Sequence, residues 1–181
     1  MPKIDSSKWV RFKMSDLGFE NFHGTRLNIA DRIEGKSVFL SAGKVNQGLA
    51  GYIANPQESY LDPITVDMFG NCFFHEGKRA GDDNVYFFVN EKLGKYEKLF
   101  IASVINLETT YRFSYQDQFR QPDADSLSAV LPVDSQGKPD WVYMKSYMTE
   151  QVIKTNEFID ALVENDESSE MTSNQEIQNL D

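Results

Sequence analysis

The run Asp67 to Asp83, DMFGNCFFHEGKRAGDD, gathers residue types that could do chemistry. It contains the only cysteine, Cys72, and His75, one of two histidines. Their C-x-x-H spacing could offer a thiolate and an imidazole to zinc, which takes four ligands, typically from two such pairs. No second cysteine exists, and His23 lies far away in the chain. If CFFHE is a strand, side chains three apart point to opposite faces. Cys72 and His75 are then poorly placed to chelate an ion or to act as nucleophile and base. The expectation is a buried Cys72 and a surface His75, with Phe74 on the cysteine's face and Phe73 on the histidine's. Asp67, Glu76 and Lys78 form a second constellation. Metal-dependent nucleases set two acids and a lysine on adjoining strands to hold Mg²⁺ and polarise water. A hairpin turning at Gly70-Asn71 puts position 67 beside 74 and leaves Lys78 in the following turn. The expectation is an exposed polar face. A Mg²⁺-dependent nuclease using Asp67, Glu76 and Lys78 is the catalytic alternative.

The elements that must position these residues are legible as periodicities. WVRF reads as an extended entry, and Ser15-Asp16 as the cap of a short helix. SVFLSAG and GYI read as short strands. ITVDMF, CFFHE and VYFFV read as three strands of an antiparallel meander, with GKRAGDDN as a loop before the third. Lys95 to Phe113 reads as a helix whose apolar face is Leu99, Phe100, Val104 and Leu107. Asp123 to Ala129 reads as one helical turn, and AVLPVD as a final strand. From Trp141 a second helix runs through Met144, Met148, Val152, Ile159 and Leu162, interrupted by Thr155, with Ser135 or Asp140 near its cap. The fold class is α+β: a curved, mostly antiparallel sheet with flanking helices. The expected division is a domain over 1–137, a C-terminal helix over 138–165 and a disordered acidic tail over 166–181.

Charge and composition bound the function. The 181 residues carry a formal net charge of −10, but residues 157–181 hold eight acids and no base. That leaves 20 acids and 18 bases in the body, near −2. An acidic chain weighs against nucleic acid as a partner, whereas a near-neutral body leaves room for a local basic face. Thirteen Phe and eight Tyr can fill a core. One cysteine excludes an internal disulfide and fits a reducing, cytoplasmic setting. The polar start, MPKIDSSKWVRFKMSD, lacks the apolar region of a signal peptide. No apolar run is long enough to span a membrane.

Several stretches then fall in one order: WVRFKMSDL, VFLSAGKVNQGLAGYI, ITVDMFGNCFFHEGKRAGDDNVYFF, LFIASVINLETTYRFSY and LPVDSQGKPDWVYMKSYM. Together they resemble the target-recognition domain of restriction–modification specificity (S) subunits, of Type I and related Type II systems. The resemblance runs from Lys8 to Met148. It implies a non-catalytic reader of one half of a split duplex-DNA target, with no cofactor. It also implies a following spacer helix that pairs with a second such helix and docks a methyltransferase subunit. A homodimer through the C-terminal helix is one form of that pairing. Two features depart from the family. Tyr115-Gln116-Asp117-Gln118 stands where a basic Y-G-(R/K) is frequent, which removes one expected phosphate contact. An S subunit also carries two recognition domains and two long helices, so this chain resembles a half-subunit, a fragment or a stand-alone derivative.

Base reading in the major groove uses Arg or Lys for guanine and Asn or Gln for adenine, and phosphate positioning uses Lys, Arg, Ser and Tyr. Three loops carry both sets. The expected DNA contacts are Lys44, Asn46 and Gln47; His75, Lys78 and Arg79; and Arg112, Tyr115, Gln116, Gln118, Arg120 and Gln121. Asp82-Asp83-Asn84 is expected to form a turn and cap backbone rather than face phosphate. Beside the DNA reader and the nuclease stands a protein-interaction module, favoured by the acidic tail.

Overall fold

The computed structural model describes residues 4–178, with side chains described as far as Val163. Its centre is a four-stranded antiparallel sheet in the order β2 (Glu20–His23), β9 (Val85–Val89), β6 (Ile64–Asp67), β7 (Cys72–Phe74). A second four-stranded sheet runs β4 (Leu49–Ile53), β3 (Glu34–Leu40), β8 (Lys78–Gly81), β5 (Tyr60–Leu61). Within it β3 and β8 are parallel, and the other pairs are antiparallel. A two-stranded ribbon joins β1 (Val10–Lys13) to β10 (Ser128–Leu131) in antiparallel register. Three helices complete the α+β fold: α1 (Lys95–Thr109), α2 (Gln121–Ser126) and α3 (Trp141–Gln178).

The apolar run VYFFV is continuous because β9 is covered on both faces. Tyr86 and Phe88 join Ile64, Val66 and Cys72 in the main core against α1. Val85 and Phe87 point the other way and pack with Leu40 of the second sheet. The sheets approach closely at Gly81, where a Cβ would lie 2.7 Å from the Phe87 ring. A strand that needs two apolar layers takes the centre, so β9 pairs with β2 and β6 rather than β7. This corrects the meander order. It also corrects the reading of residues 78–81 as loop: they form β8, which leaves the central sheet to pair with β3.

Three local expectations change as well. Residues Met14 to Gly18 form a turn rather than a capped helix. Helix α1 stops at Thr109 and buries Lys98, Ile101, Ala102, Ile105 and Thr109, whereas Leu107 is 80% exposed. The sequence pattern merged two stripes, because Phe100 faces Trp9, Tyr143 and Tyr147 on a separate side of the helix. The hairpin register sets Val66 opposite Cys72, with the Asp67 amide donating to the Asn71 carbonyl, so position 67 faces 71 and not 74.

Helix α3 starts where expected. The Asp140 carboxylate accepts from the Tyr143 amide at 2.9 Å, an N-cap contact. Met144, Trp141, Tyr147 and Met148 pack it on the core. Beyond them Ile153, Phe158, Ile159, Leu162 and Val163 are exposed. The expected acidic tail over 166–181 lies outside the described side chains, and its last three residues lie outside the described chain. No described helix is long and apolar enough to cross a membrane.

Cys72 is buried as expected, and burial pushes its thiol up, away from the thiolate. His75 is buried too, which corrects its placement at the surface. Its ring shares a 2.9 Å hydrogen bond with the Thr65 hydroxyl. Burial first, and then the nearby Arg79 charge, lower its pKa to about 4. A neutral buried imidazole has a consequence for acid stability. Between the ordinary histidine pKa and about 4, the unfolded chain binds a proton that the folded ring refuses. The His75 contribution is therefore fully present at neutral pH and is lost as pH falls through that window. Its size is about 3 kcal/mol, from the linkage of a pKa shift to stability. Urea unfolding at pH 7.5 and pH 4.5 checks this: the His75→Gln variant is expected to lose distinctly less stability between the two than the parent.

Candidate nucleic-acid interface

Asp67 ends β6 with its carboxylate buried. One oxygen, Oδ1, accepts from the backbone amides of Phe69 and Asn71 at 2.9 and 3.0 Å. The other, Oδ2, accepts from Asn71 Nδ2 at 2.7 Å and from the Gly43 amide at 2.8 Å. Withdrawing a carboxylate from water is costly unless donors replace the water, and these four do so without a cation. The result closes the turn 67–71 and fastens the loop 43–48 to it.

Asn84 extends the cluster. Its Oδ1 accepts from the Ala42 amide at 3.1 Å and its Nδ2 donates to Ser41 Oγ at 3.3 Å. Its carbonyl accepts from the Met68 amide, and the Met68 carbonyl accepts from the Phe119 amide, each at 2.9 Å. On the far side of the turn, Thr109 Oγ1 donates to the Gly70 carbonyl at 2.6 Å. Gly70 has a φ of 79°, and a Cβ there would meet the Thr109 carbonyl at 2.5 Å. Four loops from four parts of the chain, 41–48, 67–71, 82–84 and 109–119, are thus tied to one buried polar cluster.

Outside this cluster the same loops border an open groove of about 890 Å³. Arg26, Asn28, Ser41, Ala50, Tyr115, Gln118 and Arg120 line it. The acidic pair below is structural, as expected. Asp82 Oδ1 accepts from the Leu27 and Asp83 amides, and its Oδ2 pairs with Arg32 Nη2 at 3.1 Å. Arg32 also lies over the Phe39 ring at 4.7 Å. Arg26 reaches Asp83 at 3.8 Å but keeps a mostly exposed side chain. On the loop 41–48, Lys44 Nζ stands 5.9 Å from the Tyr111 ring, which is 94% exposed.

Of the residues expected to contact DNA, the fold gathers Lys44, Asn46 and Gln47 on one exposed loop and Tyr115, Gln116, Gln118 and Arg120 on another. Gln121 opens α2 with its amide bonded to Asn21 and Asp125. Arg112 lies over Phe113 in a separate recess with Glu108. Lys78 opens onto a different groove, beside Asp62 and Lys98, that shares no lining residue with the first. Arg79 turns back to the Lys78 carbonyl, and the His75 ring is buried. The loop HEGKR therefore does not join the other two. The nuclease constellation is dispersed as well. Asp67 is committed to backbone, Glu76 pairs with Lys95 at 2.9 Å, and Lys78 begins β8. Among the described residues no three His, Cys, Asp or Glu side chains gather where a metal could sit.

No family model matches the chain. It is 27% identical over 146 residues to the Type II restriction enzyme BgcI specificity subunit S.BcgI of Heyndrickxia coagulans, covering 77% of this chain and 42% of that protein. The fold is similar to the Type I restriction–modification S subunit of M. genitalium, with a TM-score of 0.59 at 15% identity. That match covers 87% of this chain and 43% of the other. The HsdS subunit of Thermoanaerobacter tengcongensis gives a TM-score of 0.57 at 12% identity, over 89% of this chain and 42% of that one. The chain resembles a target-recognition domain of restriction–modification specificity subunits. It spans about four-tenths of the length of these relatives.

Two groove residues had no motif to announce them: Arg26 and Asn28. The available signal was a polar stretch, GTRLNIADRIEG, with two arginines between strands. The buried cluster makes its own prediction. Asp67→Asn puts an amide NH₂ where an oxygen accepts, leaving at least one donor facing another. A buried unmatched polar group costs about 2 kcal/mol. Urea unfolding is expected to register that loss. Hydrogen exchange is expected to show the Gly43 and Asn71 amides losing protection ahead of the β9 amides.

Proposed function

We propose that this chain reads sequence in duplex DNA, as a half-size specificity subunit of a restriction–modification complex, and performs no chemistry itself. One observation carries the reading. A single buried cluster ties together two exposed polar loops, with Lys44, Asn46 and Gln47 on one and Tyr115, Gln116, Gln118 and Arg120 on the other, and Tyr115, Gln118 and Arg120 line an open groove with Arg26 and Asn28. Base and phosphate recognition need polar side chains held in fixed register on a rigid support. The likeness to specificity subunits agrees with this use. Arg26 and Arg120 line the groove and Lys44 stands on the tethered loop, so an acidic chain can still meet phosphate with local cations. Arg112 and Gln121 lie at the margin of this face, and Lys78 and Arg79 on another surface.

Residues 1–137 act as the recognition domain and residues 138–165, which hold the first part of α3, as spacer. Met148, Val152, Thr155, Ile159 and Leu162 repeat at four and three, the spacing of a two-stranded seam. Ile159 and Leu162 are exposed. A second copy of this helix, or a helix of a methyltransferase subunit, would cover them.

The test is duplex selection from a random pool with the full chain, followed by fluorescence anisotropy across a salt series. A specific site with steeply falling affinity is expected. Lys44→Ala and Arg120→Ala should each flatten the log–log salt slope by about one unit, as loss of one phosphate contact does. Lys78→Ala should leave it unchanged. Equal effects of all three, or no preferred sequence, count against the proposed face. For the helix, Ile159→Asp with Leu162→Asp should abolish any self-association seen in sedimentation while DNA binding per chain persists.

A further inference from the structure

The loop Gly43–Gly48 carries a geometry that phosphate contact alone does not require. Asn46 and Gln47 are consecutive residues in the left-handed region, with φ of 47° and 55°. Side chains other than glycine rarely adopt it, and a run of two holds only where the surroundings impose it. Here the Gly43 amide is fixed by Asp67, the Ala42 amide by Asn84, and the Ser41 amide donates to the Gly48 carbonyl at 2.8 Å. The loop is closed and tethered at its base, and its tip is exposed.

The tip also keeps its hydrogen-bonding capacity. Among the described residues no hydrogen bond engages the Asn46 or Gln47 side chain. The three amides that line the groove are engaged by the fold, whereas the exposed Gln116 on the neighbouring loop is not. Gln118 Nε2 donates to the Tyr115 carbonyl, Asn28 Nδ2 to Asp31, and Asn84 is bonded at both ends of its amide. Beside the two free amides Val45 is 79% exposed. An apolar side chain held in water at the tip of a tethered loop gains nothing from the fold itself.

These three side chains match one base pair. In the major groove adenine presents an acceptor at N7 and a donor at N6, which a primary amide meets with its NH₂ and its carbonyl. Thymine presents a methyl group, which an apolar side chain meets. Guanine is met best by Arg or Lys, and Val45, Asn46 and Gln47 include neither; Lys44, the residue before them, is the phosphate contact proposed above. We infer that the Val45–Asn46–Gln47 tip reads an A·T base pair in the major groove, with an amide on adenine and Val45 on the thymine methyl. This rests on the DNA-reading function proposed above. The left-handed backbone serves it by fixing the course of the tip before DNA arrives, so the ordering of its backbone is complete on folding.

The test uses the full chain and the duplex selected by it. Each adenine is replaced singly by 7-deazaadenine, which lacks the N7 acceptor, and each thymine by uracil, which lacks the methyl. The parent is compared with Asn46→Ala/Gln47→Ala and with Asn46→Gly/Gln47→Gly. The glycine pair accepts the left-handed backbone without strain, so an unchanged Tm certifies its fold. At one A·T pair, 7-deazaadenine is expected to weaken the parent about tenfold, the scale of a bidentate base contact. Both double variants should lose preference at that pair and keep it elsewhere. A consensus without A·T pairs, or variants that keep full preference at every A·T, overturns the inference and leaves DNA reading intact. A chain that retains no duplex at low salt overturns the DNA-reading function and this inference together.

Discussion

A carboxylate taken out of water holds its charge only if donors replace the water, and the donors must then stay where the carboxylate needs them. Asp67 is that constraint here. Its two oxygens collect the Phe69, Asn71 and Gly43 amides and the Asn71 side chain. The turn after β6 and the loop before β4 become one object. Met68, next in sequence, passes the restraint through its backbone to Asn84 on one side and Phe119 on the other. Loops far apart in sequence are thereby fixed to one another by hydrogen bonds that close only in the folded state.

That cluster depends on the layering beneath it. β9 is covered on both faces, by α1 on one side and by the second sheet on the other, and β6 beside it is buried throughout. Loops leaving these strands start from positions that cannot shift without opening a core, because packed interiors tolerate little displacement. The tight approach of β8 to Phe87 at Gly81 holds the second sheet, and with it β3 and the loop 41–48, against the first. The polar surface is thus the outer end of a rigid stack, which is what sequence-specific contact requires of a scaffold.

The charge distribution fits the same arrangement. Acids within the groove are engaged: Asp82 with Arg32 and backbone amides, and Asp83 with Arg26. The unbalanced negative charge sits on the second half of α3, away in sequence from the loops that carry Lys44 and Arg120. A global charge of −10 therefore says little about any one face. Fields at a surface are set by the nearest charges, and distant exposed ones are screened beyond about 10 Å at ordinary salt.

The amino-acid sequence by itself determined most of the elements. β1, β6, β7, β9, β10 and the start of α3 follow from apolar alternation and capping, which are local properties. The burial of Cys72 and the structural use of Asp82 follow from the same reasoning. Only the tertiary structure decided which strands are neighbours, since VYFFV pairs equally well by pattern with either side of a hairpin. It alone decided that KRAG is a strand, because the partner that makes it one, β3, lies some forty residues earlier. It moved His75 from the surface to the interior and separated Lys78 and Arg79 from the other polar loops. It also turned Asp67 from a candidate metal ligand into the anchor of the site. Each of these turns on a contact between distant segments, and local periodicity carries no information about which distant segment will arrive.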